Sequence, residues 1–248
     1  MKKILCLPVI LLTLMTIYGE PDFQSKLKNI DDIGNFKGMD FSCVYTFVSE
    51  KPGEEPSVNQ ARMFRRDDMN QFVLLFLKPE VKKGQGYLQV DDNVWFYDPE
   101  SRKFEKSTIK EDIQDSEAKN SDLNRNSLAD DYLVVKWEEG KLGSVDTYIL
   151  DLDARHDDVS YKKIRIWIRK DRDIVLKEQD YSVSDRLMRS VYYPHYMAVG
   201  EKYLPSQILI VDELNKGEKS QVTLKDASVA KLPDKVFTKA YIEAVNNQ

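Results

Sequence analysis

Cysteine and histidine are scarce in this chain, which has two of each among 248 residues. Cys6 lies in the apolar N-terminal stretch, so Cys43 is the only cysteine that an exported, processed chain would keep, and no intramolecular disulfide can form. His156 and His195 are far apart and lack the spacing of metal ligands. A disulfide framework and a site built from several thiolates are thereby excluded, and we expect no metal and no cofactor.

The usual catalytic and nucleotide-binding motifs are also missing. The sequence contains no P-loop, no dinucleotide-binding glycine fingerprint, no GxSxG elbow and no HExxH pair. Adjacent aspartates occur, but they lie at expected turns and strand ends, where Asp bonds to nearby backbone. Charged residues make up 32% of the chain, with both signs interspersed and a net charge of −5. We expect no catalytic residues and, because no basic stripe is present, no nucleic-acid binding.

Apolar runs are too short to cross a bilayer comfortably, since a crossing helix takes roughly 20 residues. The run from Ile4 to Ile17 follows two lysines and precedes Gly19-Glu20-Pro21, which is the layout of a secretory signal peptide. An uncleaved membrane anchor is the alternative. We interpret residues 1–19 as a cleaved signal and residues 20–248 as one exported, soluble domain, because all-β domains commonly reach about 200–250 residues.

The chain is rich in strand signals. Short runs, most of them enriched in β-branched and aromatic residues, follow one another from Met39 to Asp226. Turn sequences such as Lys51-Pro52-Gly53 and Asn215-Lys216-Gly217 separate them. The pattern predicts an antiparallel meander of about eleven strands, thirteen at most.

Helical spacing appears at the two ends of the chain. Phe23, Leu27 and Ile30 recur at helical intervals behind Asp22, a favoured N-cap residue, and predict a helix over residues 21–33. Its single apolar stripe should lie on whatever the sheet encloses. A second, short helix is expected near the C terminus.

Alternation along the strands indicates how the sheet is covered. Ile164, Ile166 and Ile168 face one way while the residues between them face the other, because successive side chains point to opposite sides of a strand. Residues 72–77 are instead apolar on both faces. The combination predicts a mainly β fold, in which a strongly curved sheet carries a few helices on its concave face.

Residues 110–130 interrupt the strand pattern with many Asp, Asn and Ser residues and few apolar ones. Connections longer than about 12–15 residues in compact domains are usually functional or mobile. A short helix capped by Ser121 or Asp122 is expected within this one. Two interpretations stay open, a lid over the sheet and a plain solvated loop.

A resemblance to a known family starts from the hairpin Val94-Trp95-Phe96-Tyr97-Asp98-Pro99. This segment resembles the W-x-Y-x-P hairpin of the LolA-type outer-membrane lipoprotein-sorting family. Further segments that resemble the family's pattern are Arg65-Arg66, residues 72–79, residues 83–88, residues 115–132 and residues 232–238. The resemblance covers most of the chain, from about Met39 to Val245, and the hairpin is its most specific part.

The resemblance implies an open, incomplete antiparallel β-barrel with helices capping an apolar cavity. From strand parity and this resemblance, the cavity face is predicted to consist of Leu74, Phe76, Leu88, Val90, Trp95, Tyr97, Ile164, Ile166, Ile168, Ile208 and Ile210. The family's lid-latching arginine would correspond to Arg65 or Arg66. Composition alone would favour an ordinary packed core for these aromatic residues.

The implied function is that of a periplasmic carrier, which shields the acyl chains of lipoproteins or lipids on their way to the outer membrane. The implied partners are those acyl chains, an inner-membrane donor and an outer-membrane acceptor, and the carrier is expected to be monomeric. The alternative is an envelope sensor or protein-interaction module with the same fold, because a fold by itself does not determine what is bound.

Overall fold

The computed structural model describes residues 21–125 and 127–246, so the predicted signal peptide lies outside the described residues. In this described part of the chain, thirteen strands form one sheet, which is the upper end of the expected number. The strands are β1 Phe41–Glu50, β2 Ser57–Arg66, β3 Gln71–Lys78, β4 Gly86–Val90, β5 Asn93–Asp98, β6 Lys103–Ser107, β7 Tyr132–Leu142, β8 Val145–Ala154, β9 Lys163–Arg169, β10 Val175–Tyr181, β11 Leu187–Val199, β12 Lys202–Asp212 and β13 Lys219–Val229. The α-helices are α1 Phe23–Gly34, α2 Asn120–Leu123, α3 Leu128–Asp131 and α4 Lys239–Val245.

The sheet is an antiparallel meander with one break. Consecutive strands pair from β1 to β6 and again from β7 to β13, while β13 pairs with β1, which leaves β6 and β7 as the two end strands. Residues 108–131 connect these end strands and therefore pass from one edge of the sheet to the other. We call them the lid segment. The predicted fold class, a mainly β, open and incomplete barrel, is confirmed.

Helix α1 forms where the apolar spacing predicts it. The Asp22 carboxylate accepts a hydrogen bond from the Ser25 N–H at 3.0 Å and so caps the N-terminal end. Phe23, Leu27 and Ile30 are all buried. They belong to one apolar cluster with residues of β7 to β10, so the single apolar stripe packs on the sheet as expected.

Different segments cover the two faces of the sheet. On one side, which we call the inner face, α1 and the lid segment pack against two apolar clusters that together involve most of the strands. On the opposite, outer face, residues 232–242 pack against the β3–β5 region. The apolar run in β3 serves both sides, because Leu74 and Phe76 belong to the inner face and Val73 and Leu75 to the outer one.

The sparse cysteine and histidine residues are placed apart from one another. Cys43 is buried in the inner-face core, and burial raises the pKa of its thiol to about 12. His156 lies in an exposed loop, 3.1 Å from the Asp131 carboxylate. His195 is exposed on β11. None of the described helices is long and apolar enough to cross a membrane.

Candidate functional site

A cavity of about 230 Å³ lies between the inner face, α1 and the lid segment. Its walls are apolar in part. The apolar lining includes Ile30, Leu128, Ile164, Val175, Leu204 and Ile208. The polar lining includes Tyr132, Tyr161, Tyr193, Tyr196, Tyr203, Asp122, Glu178 and Arg189. The cavity therefore offers an acyl chain apolar contacts beside a group of tyrosines and charged side chains.

The lid segment is packed against the inner face. Ile113, Ala118 and Leu123 are buried in the apolar cluster that β1–β5 and β11–β13 form. The backbone N–H of Glu117 also donates to the Ser220 hydroxyl on β13 at 2.9 Å. Apolar burial and polar contacts to the sheet together hold this segment over the cavity.

Within the lid segment, α2 begins slightly earlier than the sequence indicates. The helix starts at Asn120, and Lys119 occupies the N-cap position. Asp122 accepts a hydrogen bond from the Lys119 N–H at 2.7 Å, so its carboxylate acts from the first turn. The N-cap is therefore Lys119 and not the expected Ser121 or Asp122. The Asp122 carboxylate lies within the first turn and binds the backbone N–H of Lys119, which precedes the helix.

Arg65 connects the sheet with the lid segment and with α1. Its guanidinium pairs with the buried Asp67 carboxylate at 2.6 and 2.8 Å. The same group donates to the carbonyl oxygen of Asn124 at 3.1 Å and to that of Gly34 at 3.0 Å. Leu123 O is a weaker acceptor at 3.4 Å. One buried arginine therefore contacts the carbonyl oxygens of two segments that cover the cavity.

Arg189 on β11 makes a second connection to the lid segment. Its two terminal nitrogens donate to both oxygens of Asp122, each at 2.7 Å. Its Nε donates to Asp180 at 2.5 Å, and its guanidinium lies 4.9 Å from the Tyr161 ring centroid. Arg189 is 5% exposed and Asp180 is fully buried, so this arginine holds the lid segment from beneath.

Glu178 and Asp180 form a carboxyl pair next to that arginine. They lie two residues apart on β10 and so share a face of the sheet. Burial and the neighbouring Asp180 raise the pKa of Glu178 well above its usual range, and burial also raises the pKa of Asp180 in spite of Arg189. Both shifts favour the protonated forms of the two carboxyl groups.

Asp31 joins the two helices at the cavity wall. Its carboxylate accepts hydrogen bonds from the backbone N–H groups of Leu128 and Ala129, at 3.0 and 2.9 Å. Burial raises the pKa of Asp31 to about 6, although these two bonds act in the opposite direction. The contact between α1 and α3 is thus polar, and burial disfavours the charged form of Asp31.

Among the described residues, one acidic trio could approach a common metal ion. Glu117, Asp212 and Glu218 each offer an oxygen within 4.8 Å of the others. Asp212, however, already accepts hydrogen bonds from the backbone N–H groups of Leu214 and Asn215. We interpret the trio as part of a polar turn beside the lid segment.

Comparison with known proteins identifies the family. A family model described as "Uncharacterized protein" matches residues 68–244, and the chain belongs to that family. No curated protein matches the sequence at a significant level.

Solved structures identify the fold. A LolA superfamily protein from Nitrosomonas europaea superposes with a TM-score of 0.76 at 24% identity, over 88% of this chain and 98% of the other. This chain has the LolA fold. A DUF1329 family protein from Desulfovibrio piger gives a TM-score of 0.78 at 17% identity, over 88% and 97% of the two chains. A Vibrio parahaemolyticus domain described as an outer membrane lipoprotein-sorting protein gives 0.77 at 15% identity, over 89% and 97%.

Within this LolA fold the predicted cavity residues occupy three different places. Those that line the cavity are Ile164 and Ile208, together with Arg65. Those buried in the inner-face clusters beside it are Leu74, Phe76, Ile166, Ile168 and Ile210. Those that pack on the outer face, against the C-terminal segment, are Leu88, Val90, Trp95 and Tyr97.

The outer placement of these four residues corrects the predicted strand parity. Leu74 on β3 pairs with Tyr87, and Tyr87 pairs with Phe96, so the inward positions of β4 and β5 are Tyr87 and Phe96. Leu88 and Trp95 consequently face outward. The alternation misleads here because apolar side chains cover both faces of these strands, and the pattern then carries no information about which face is inner.

Arg66 lies on the outer face as well. Its guanidinium pairs with Asp40 at 2.8 and 2.9 Å and with Asp234 at 2.7 Å, and it donates to the carbonyl oxygen of Leu232 at 2.7 Å. It therefore fastens the C-terminal segment. Of the two predicted latch candidates, Arg65 is the one in contact with the lid segment.

Three charged residues of the site, Glu178, Asp180 and Arg189, are not predicted from the sequence. They belong to two strands and meet Asp122 only through pairing of β10 with β11 and passage of the lid segment across the sheet. A weak signal exists in β10, where polar residues occupy consecutive positions from Lys177 to Asp180 on both faces.

Proposed function

We propose that this protein is an exported periplasmic carrier that shields an acyl chain of a lipoprotein or lipid during transfer toward the outer membrane. The observation that carries the proposal is the partly apolar cavity beneath the lid segment. The LolA fold supports it, as does similarity to a protein described as an outer membrane lipoprotein-sorting domain. No catalytic residue is assigned in this scheme, and the protein acts by binding alone.

The cavity is small for a whole acyl chain. Its volume of about 230 Å³ lies below the roughly 300–1,000 Å³ of typical ligand pockets. Each buried methylene contributes about 0.8 kcal/mol to binding, so a cavity that widens on lid displacement gains affinity with every methylene it admits. Uptake therefore involves movement of the lid segment.

Arg65 is the latch in this proposal. Its bonds to Asn124 O and Gly34 O hold the lid segment and α1 against the sheet. Neutral carbonyl acceptors can be exchanged for water more easily than a charged partner, because hydrogen bonds between charged groups are stronger. The Asp67 pair would thus keep Arg65 in place while the lid segment moves.

The proposed partners follow from the carrier role. An inner-membrane donor supplies the lipid-bearing cargo, an outer-membrane acceptor receives it, and the carrier passes between them as a monomer. Cargo release then requires displacement of the lid segment on contact with the acceptor.

The first test is native mass spectrometry with lipid extraction on the processed protein purified from its own envelope. A lipid or lipopeptide bound at near-stoichiometric amount is expected. A protein that is empty and also fails to bind a fluorescent monoacylglycerol would contradict the proposal.

A substitution tests the location of the site. Ile208→Trp fills the cavity and is expected to weaken monoacylglycerol binding at least about tenfold, because the added ring occupies space that the chain needs. Ile149→Trp is the matched control, since Ile149 pairs with Trp167 on β9 and alternates with the inward Leu150. Equal binding by both folded variants would place the acyl chain elsewhere.

The alternative, a protein-interaction module, is favoured by one feature of the end strand β7. Leu133 and Val135 on this strand are 46% and 56% exposed. An end strand with exposed apolar residues can add a strand from another chain. A protein that ignores monoacylglycerol yet loses a partner on Val135→Lys substitution would support this function in place of the carrier.

A further inference from the structure

The charges in the group around Arg189 do not balance. Arg189 is bonded to two carboxylates, that of the fully buried Asp180 and that of Asp122, which is 15% exposed. Glu178 lines the cavity beside them, and within residues 21–125 and 127–246 it forms no ion pair with a lysine or arginine. One guanidinium therefore faces three carboxyl groups in a site largely withdrawn from water.

One carboxylate oxygen of this group lacks a hydrogen-bond donor among the described residues. Asp180 Oδ1 is fully buried and has no hydrogen-bond donor in the described part of the chain other than a protonated neighbour. Glu178 is that neighbour, and the burial of both groups favours the proton-sharing form. A position that favours a proton in the empty protein also suits the cation of a ligand in the loaded one.

Three tyrosines line the same cavity as Glu178. These are Tyr132, Tyr193 and Tyr196. Burial raises the pKa of each phenol, and the charge of Glu178 raises it further. A carboxylate among aromatic rings suits an ammonium group, because ring faces attract cations and the carboxylate neutralises them.

We infer that the cavity selects amphiphiles whose head group is a protonated amine, with the ammonium against Glu178 among Tyr132, Tyr193 and Tyr196. The chain of the amphiphile extends along Ile164 and Ile208. This inference rests on the proposed carrier function and adds the head-group class. A carboxylate head group is disfavoured at the same position, because it would meet the carboxyl groups of Glu178 and Asp180.

Three probes with the same chain test the inference. Dodecylamine, dodecanol and dodecanoate are titrated into the processed protein by calorimetry, below the concentrations at which they form micelles. We expect the amine to bind at least about tenfold more tightly than the alcohol, and the carboxylate to bind most weakly. Equal binding of amine and alcohol overturns this inference and leaves the carrier function standing. Binding of none overturns both.

Variants separate the site from nonspecific attraction of a cation to an acidic protein. Glu178→Gln is expected to bring the amine-to-alcohol ratio within about twofold while dodecanol still binds. Glu105→Gln, at an exposed position on β6, is the matched control and should keep the wild-type ratio. A preference that survives in Glu178→Gln would overturn the inference.

A second variant covers the case in which Glu178→Gln fails to fold. Tyr196→Leu removes the half-buried aromatic ring of Tyr196 from the three tyrosines and leaves an apolar side chain in its place. We expect it to lower the amine-to-alcohol ratio by roughly threefold or more, the size of one cation–π contact. An unchanged ratio would show that the ammonium does not lie among these rings.

Discussion

Two arginines in this protein each bind two aspartates, one on either face of the sheet. On the outer face, Arg66 binds Asp40, whose side chain is 6% exposed, and Asp234, whose side chain is 91% exposed. On the inner face, Arg189 binds Asp180, which is fully buried, and Asp122, whose side chain is 15% exposed. Solvent therefore absorbs the surplus negative charge outside, whereas the inner site keeps it.

The difference separates a structural fastening from a binding site. The outer arginine holds the C-terminal segment over a solid apolar cluster, where residues 232–242 pack on the sheet. The inner arginine lies beside a cavity and beneath a lid segment. Surplus buried charge is costly. Its presence at the cavity is explained if a ligand supplies the balancing cation.

The largest effect is expected from removing the inner arginine. Arg189→Met leaves the buried Asp180 and the mostly covered Asp122 without a cation and should lower the free energy of unfolding by about 3–5 kcal/mol. Arg66→Met leaves only one buried aspartate, Asp40, without a cation, so the free energy of unfolding should fall by a clearly smaller amount. Urea denaturation of both variants measures the difference. Equal losses would remove the distinction between the two faces.

The next effect concerns pH, and here the two faces should respond with opposite sign. Burial raises the pKa of Asp31 on the inner side from 3.8 to about 6, so its ionisation destabilises the fold as pH rises through that interval. The size of this loss is about 3 kcal/mol. Asp31→Asn should therefore gain stability relative to wild type between pH 4 and pH 7.

Asp40 supplies the opposite case. Burial acts to raise its pKa, but hydrogen bonds from Arg66 and the Leu232 N–H and the arginine's charge lower it below 3.8 overall. The stability that it contributes is therefore present above pH 4 and lost only at lower pH. Denaturation curves of Asp31→Asn, Asp40→Asn and the exposed control Asp92→Asn, each from pH 3 to 7, measure both slopes. Parallel curves for Asp31→Asn and wild type would contradict the assignment.

The smallest effect is expected at the exposed member of the outer group. Asp234→Ala should lower the unfolding free energy by no more than about 1 kcal/mol, because a solvated partner contributes little.

Asp122→Ala on the inner side should lower the unfolding free energy by about 1–3 kcal/mol and should also increase the rate of monoacylglycerol uptake, since the lid segment loses its bond to Arg189. Stopped-flow fluorescence follows uptake. An unchanged uptake rate would show that Arg189 does not restrain the lid segment.

Sequence patterns predicted the fold more fully than the site. Helix α1, the strand succession and the LolA resemblance all follow from spacing and from short motifs such as Val94–Pro99. Of the predicted cavity residues, Ile164 and Ile208 line the cavity, whereas Leu88, Val90, Trp95 and Tyr97 lie on the outer face. The isoleucines of β9 could be placed because polar residues alternate with them.

The sequence by itself determined that the chain forms a meander of short strands with an apolar-striped helix at its beginning, because those properties depend on residues near one another in the chain. Only the tertiary structure decided which face of β4 and β5 is inner, which arginine contacts the lid segment, and that Asp122, Glu178 and Arg189 meet at one cavity. These outcomes depend on strand register and on the path of a long connection. Both are set by contacts between residues far apart in sequence, which local patterns do not encode.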